Sequence, residues 1–415
     1  MGLRLTGVVA VAAALAADCC VLCAAFKVHE VQYSDLGGFD YRIFNNAAGV
    51  PIFSREPLWE QSPLSLLYRL GTTFEQTKSQ KLSRYSAYVT DRIFGVRSEL
   101  FKIEEDNGKI SEIQIVFFNK GDSVDERWDY KDTRTMQVQE KAITDALTDL
   151  FGKYENTRMG SGRNSEKARL WKGAGCEFLL AARNREYITL NIRPEGWVGE
   201  EKEDESPERV TMQMGWDKNV EKNSNGDVWI KNMPMVNQGN KGYCMPATIE
   251  RCILYYGVHD IDMHRIAAAV NTADGGGTKL PSAIANTRKI ISPNNLRIDM
   301  SQFTFPKIRK YIDMGVPMCW CLFYLPEFRD RLRETAMLRD VGDFEKWVKQ
   351  SRKMPVLKAK SDTFNTGHVC NIVGYNSTTQ EIAISNSWGE AHEIEWVRFK
   401  DARAVSLSLF AIRPN

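Results

Sequence analysis

The sequence predicts an α+β protein in two parts, and three observations carry that reading. In the first half, apolar segments pair across turn residues, with one helical stretch among them. A run of Glu, Lys, Asp and Ser over residues 200–208 interrupts the chain near its middle. In the second half a single apolar-periodic helix precedes a set of strands. A length of 415 residues also favours more than one domain. The expected organisation is a signal peptide at 1–25, an α+β domain at 26–198, an acidic and polar linker at 199–227, and a second α+β domain at 228–415.

The first residues carry a targeting pattern. Arg4 supplies a positive start, residues 8–17 are apolar, and Cys23-Ala24-Ala25 sets small residues before a cut after Ala25. Apolar character resumes after Asp18, so an uncleaved membrane anchor is the alternative. Cleavage predicts a secreted or periplasmic chain with no stable membrane insertion. It would also remove Cys19, Cys20 and Cys23 and leave six cysteines: 176, 244, 252, 319, 321 and 370. Export permits disulfides, although buried thiols are the simpler expectation for most of them. Lys+Arg 55 against Asp+Glu 53 is nearly balanced, so no nucleic-acid partner is called for.

In the first half, residues 100–104 and 113–118 read as strands around an Asn107-Gly108 turn. Residues 136–151 read as a helix with Ile143, Leu147, Leu150 and Phe151 on one face and Gly152 as its cap. Residues 177–182 and 187–192 form a second hairpin around Asn184-Arg185. This half offers no nucleophile–base pair and no phosphate loop, so a binding or structural role is expected of it. In the second half a loop leads into a helix whose first turn contains Pro246 and which ends at Gly257. A short helix at 306–313, a strand at 317–323 and a charged helical stretch at 328–353 follow. Strands at 368–375, 381–385 and 394–399 close the chain.

Amide hydrolysis by a thiol needs a nucleophile, a base, a group that orients the base, and donors for the oxyanion. Cys244 lies where loop becomes helix, where free N–H groups and the macrodipole should lower a thiol pKa. Its own N–H is a candidate oxyanion donor, and Gln238, six residues earlier, offers a second. A lone cysteine in a helix is more often packing, so the case rests on partners. His368 follows Gly367 at the start of an apolar strand, as a cleft-lining base requires. Asn386 ends the next strand, where its amide oxygen can fix an imidazole, and Trp388 can shield that bond from water. Among the other histidines His392 is the best rival, but it follows Asn386 in the chain.

These residues carry a resemblance. Residues 238–244 (Gln-Gly-Asn-Lys-Gly-Tyr-Cys), then Gly367-His368-Val369, then Asn386-Ser387-Trp388-Gly389 resemble the papain family in order and in the Gln-to-Cys spacing. Gly367-His368 with Gly374-Tyr375-Asn376, and Ser387-Trp388-Gly389, also resemble bacterial papain-like peptidases of the bacteriocin-processing type, which share the fold. The likeness covers roughly residues 228–414. It implies a papain-like catalytic domain, in which an N-terminal helix bearing the nucleophile packs on an antiparallel sheet or barrel. It implies Cys244 as nucleophile, His368 as base and acid, Asn386 as orienter and Gln238 as oxyanion donor, with no metal or organic cofactor. Gly275-Gly276-Gly277 looks like the glycine pair along which papain relatives lay the substrate backbone; a flexible turn is the other reading. Lys241 stands where these enzymes usually have a cysteine, and Met245 where they have an aromatic residue.

The implied activity is that of a secreted thiol peptidase acting on a peptide or protein. Amide transfer of the transglutaminase or amidase type and a non-catalytic binding role on the same scaffold are the alternatives. The first half is expected to bind or cover the catalytic cleft, in which case activity would rise on separation at the 200–208 run.

Overall fold

A computed structural model describes residues 39–78, 83–122, 133–160, 165–196, 210–259, 261–274, 276–358 and 367–415. The expected signal peptide, the charged run at 200–208 and Gly275 lie outside the described residues. Residues from Tyr41 to Asn415 form one compact unit, whose described residues contain two eight-stranded sheets and one short two-stranded pair.

The first sheet is antiparallel throughout. Its strands are β1 (Phe74–Lys78), β2 (Ser83–Ala87), β5 (Leu100–Asp106), β6 (Lys109–Asn119), β7 (Glu155–Met159), β8 (Glu166–Gly173), β9 (Cys176–Arg183) and β10 (Tyr187–Pro194). They run in the order β1-β2-β5-β6-β10-β9-β8-β7. The short strands β3 (Arg92–Ile93) and β4 (Val96–Arg97) pair with each other. The β5–β6 turn places Asn107 at φ 52° and Gly108 at φ 81°, the left-handed pair that a tight hairpin needs. The helix Thr133–Phe151 buries Ile143 and Leu147 completely, as its periodicity predicts. Leu150, expected on that face, is only half-buried. Phe151 stacks on Phe178 of β9 at 4.7 Å, and Gly152 ends the helix at φ 82°.

The second sheet contains β11 (Val220–Lys222), β12 (Asp227–Ile230), β13 (Leu296–Ser301), β14 (Met318–Phe323), β15 (Gly367–Asn376), β16 (Glu381–Ser385), β17 (Glu395–Arg398) and β18 (Ser406–Pro414). The order is β11-β12-β15-β14-β18-β13, with β16 joining β15 to β17. Residues 210–227, expected within the linker, pack with this half. Trp216 sits edge-on to Tyr256 at 4.8 Å, and β12 pairs with β15. The stretch at 328–353 is two helices, Pro326–Asp340 and Phe344–Lys353. Gly342 (φ 72°) breaks the run, and Asp343 caps the second helix by accepting from the Lys346 N–H. The pairing of β13 with β18 and the helix Leu280–Ile291 have no counterpart in the sequence expectations.

The helix Cys244–Tyr255 lies against β15, where the Thr248 hydroxyl donates to the Val369 carbonyl at 3.1 Å. Ile249, Cys252 and Ile253 enter the core shared with Met318 and Trp320 of β14. At its end the Val258 N–H reaches the Ile253 carbonyl and the Gly257 N–H reaches that of Leu254. That pattern, with Gly257 at φ 80°, is a Schellman termination. An ordinary surface helix keeps one polar face in water. Here every residue from Met245 to Tyr255 is buried, Glu250 and Arg251 included.

Candidate active site

Cys244 is the first residue of that helix and is half-buried. Burial pushes the thiol pKa up, while backbone N–H groups of Val369, Met245 and Cys244 itself pull it down. The net shift is upward, against the sequence expectation. The helix start supplies its donors as expected, but desolvation outweighs them.

His368 stands near the start of β15 and is 7% exposed. Its Nε2 lies 2.8 Å from Asn386 Oδ1. A ring nitrogen facing an amide oxygen must carry the proton, so Nδ1 is left as the basic nitrogen. Burial lowers the imidazole pKa to about 4, and the Asn386 bond works in the opposite direction. Thiol and imidazole are therefore both neutral near pH 7 in this state. Trp388 stacks on the His368 ring at 4.5 Å and 24°. Tyr324 meets both rings edge-on, at 5.3 Å and 5.0 Å. The expected shield is thus one wall of an aromatic box.

Asn386 is fully buried, and its Nδ2 donates to Glu395 Oε2 at 2.5 Å. An ionised carboxylate only accepts, so Glu395 forces the amide NH2 towards itself and Oδ1 towards His368. Sequence reasoning missed Glu395, because it lies nine residues downstream on β17. His392, the rival histidine, has Nδ1 3.3 Å from the same carboxylate and meets Trp388 edge-on. It faces Glu395 and does not replace His368 beside Asn386.

Arg251 was also missed. It is wholly buried in the Cys244–Tyr255 helix and donates to the carbonyls of Pro234, Ser385 and Asn386 and to the Ser385 hydroxyl, at 2.6–3.1 Å. One guanidinium thus ties the Cys244 helix to the strand end that presents Asn386. Burial draws its pKa down to about 10, so it remains a cation at neutral pH. The period-3.6 pattern and the helix position were legible; that a charged residue would sit inside was not.

Gln238 is 7% exposed. Its backbone N–H donates to Ser387 at 2.9 Å and its Nε2 to the Lys241 carbonyl at 2.7 Å. A primary amide has two N–H groups, so this bond leaves one for a ligand. Gly276 (φ 113°) lies against Gly242, where a Cβ would fall 2.2 Å from the Gly242 Cα. The Gly277 N–H donates to the Gly242 carbonyl at 3.2 Å. The glycine segment therefore abuts the loop that precedes Cys244. Among the described residues no group of His, Cys, Asp and Glu side chains gathers as a metal site. The six described cysteines are free thiols; Cys252 and Cys319 touch at 3.5 Å.

A helix-borne cysteine, a strand-borne histidine and a strand-end asparagine over an antiparallel sheet define the class of fold and site. Residues 230–406 match the model of the Peptidase_C39 like family, and this C-terminal region is papain-like. Among solved structures the chain is similar to xylellain, a cysteine protease from Xylella fastidiosa. The identity is 12%, over 48% of this chain and 88% of that one, with a TM-score of 0.32. No curated protein matches the chain. Among the described residues no helix is long and apolar enough to cross a membrane.

Proposed function

We propose that the chain is an exported thiol peptidase that cleaves peptide bonds through Cys244, His368 and Asn386, with Gln238 as an oxyanion donor. The observation that carries the reading is the His368–Asn386 bond of 2.8 Å beneath Trp388, at a strand that the Cys244 helix meets through the Thr248–Val369 bond of 3.1 Å. A match to a peptidase family over residues 230–406 supports it.

The resting pair is neutral, so proton transfer accompanies attack. His368 Nδ1 takes the thiol proton as sulfur bonds to the substrate carbonyl carbon. The imidazolium formed is held by Asn386, with the Glu395 carboxylate behind it. The carbonyl oxygen becomes an oxyanion, received by the Cys244 N–H and the remaining Gln238 N–H. His368 returns the proton to the leaving amine, and a thioester remains. Water then attacks the thioester, giving its proton to His368, and the thiol is restored as the acid product leaves. The turn at Gly276-Gly277 abuts the loop before Cys244 and would hold substrate backbone.

The test is cleavage of a diverse peptide library by the mature chain and by Cys244→Ala, read by mass spectrometry. Cuts that vanish in the variant support the peptidase; products bearing an added amine in place of water would move the reading to amide transfer. No cuts from either protein would favour a binding role. Export is checked on the same preparation by the N-terminal residue of the secreted chain, expected at Phe26.

A further inference from the structure

Among the described residues of 41–196 none belongs to this machinery, and their contacts say what they do. Four of them fall on one segment, residues 235–243, which carries Gln238 and leads into Cys244. The Thr77 hydroxyl of β1 donates to the Met235 carbonyl. Both carboxylate oxygens of Glu75 accept from Asn237 Nδ2, at 2.8 and 2.9 Å. Tyr88 sets its hydroxyl against Gly239, 3.3 Å from where a Cβ would stand. The Tyr243 hydroxyl donates to Asn119 Oδ1 at the end of β6, at 2.7 Å, with its ring over Gly121, where a Cβ would lie 2.3 Å from the ring.

The support continues beneath the loop. Arg84 of β2 bonds Glu250 of the nucleophile helix at 2.9 Å, and Lys102 of β5 bonds Asp262 at 3.1 Å. These charges are at most 7% exposed. Glu250 and Asp262 in turn accept from backbone N–H groups at the start of the helix Met263–Ala269. Glu75 also borders the other catalytic loop, 3.4 Å from where a Cβ on Gly389 would stand.

A cover that peels away would touch the cleft through its own surface and leave the loop self-supporting. This loop is instead bonded along its length, from Met235 to Tyr243, by side chains of the first sheet. We infer that the first sheet is a permanent clamp that holds the oxyanion loop and the Cys244 helix start in register, with Glu75 and Asn119 as positioning residues. The inference rests on the peptidase reading for its kinetic consequence and on the contacts alone for its structural one.

The experiment uses the full chain with Glu75→Ala, Glu75→Gln and Tyr243→Phe. Glu75 is only half-buried, so its variants should fold, as circular dichroism would check. Misplacing a donor without removing it should lower kcat about 10- to 100-fold, with KM nearly unchanged. Glu75→Gln keeps one accepting oxygen and should recover part of the loss. Backbone hydrogen exchange over residues 236–243 should quicken in Glu75→Ala and Tyr243→Phe but not at β18. Exchange unchanged in both variants, or activity that rises in them, would overturn the clamp. If wild type shows no thiol-dependent cleavage, the peptidase reading fails, and the exchange result still decides the clamp.

Discussion

Asn386 touches three groups that sequence order keeps apart: the His368 ring, the Glu395 carboxylate and the Arg251 guanidinium. Each touch has a separable consequence. Asn386→Ala frees the imidazole to rotate, and kcat should fall about 10- to 100-fold with KM little changed. Glu395→Gln keeps the shape but removes the charge, so a smaller loss in kcat is expected from the same kinetics. Arg251→Met strands three carbonyls and a hydroxyl in the interior. Unfolding in urea should show a loss of about 3 kcal/mol or more, because each buried unpaired acceptor costs about 1–3 kcal/mol. Arg251→Lys should recover little of it, since an ammonium cannot span the guanidinium fork. The His368 value of about 4 lies below the usual 6.5. The base is therefore neutral above about pH 4, and cleavage should persist in mild acid and fail as pH falls through that value. The same shift acts on stability. The unfolded chain takes the proton first, so stability is full above pH 6.5 and is lost as pH falls towards about 4. Urea titrations at pH 7 and pH 5 should differ less for His368→Gln than for wild type.

Among elements, the Cys244–Tyr255 helix and the turn at Gly276 matter most. The helix starts where the chain must leave a glycine-rich loop, and it stops at Gly257 in a Schellman motif. The turn at Gly276 is the less forgiving of the two. Its φ of 113° suits only glycine, and a Cβ would meet the Gly242 backbone at 2.2 Å. Gly276→Ala must therefore displace the loop before Cys244. A stability loss of about 1–3 kcal/mol is expected from the strain, with a fall in cleavage. Retained cleavage at wild-type rate would remove the turn from the substrate path.

Across the whole molecule, the two sheets share the Cys244–Tyr255 helix between them. Separation would expose Tyr243 and Met263 of a small apolar cluster together with the four charges of the Arg84–Glu250 and Lys102–Asp262 pairs. A chain nicked within residues 200–208 should therefore stay associated on gel filtration, with activity no higher than before. Dissociation with a gain in activity would restore the role of a removable cover.

The papain-like order of motifs, the helix beginning at Cys244 and the two hairpins of the first half were legible because each is local. A turn pair such as Asn107-Gly108, a glycine after a periodic run, or a motif spacing is written within a few residues. The sequence also singled out the side chains proposed to carry the chemistry, since nucleophile, base and amide types are few. Three things waited for the tertiary structure. Burial reversed the expected fall of the Cys244 pKa, and desolvation is a property of everything packed around the sulfur. Glu395 and Arg251 act through bonds whose partners lie on other elements, so no window of sequence contains them. The contacts from which the clamp is inferred join side chains more than a hundred residues apart, as Glu75 is from Asn237.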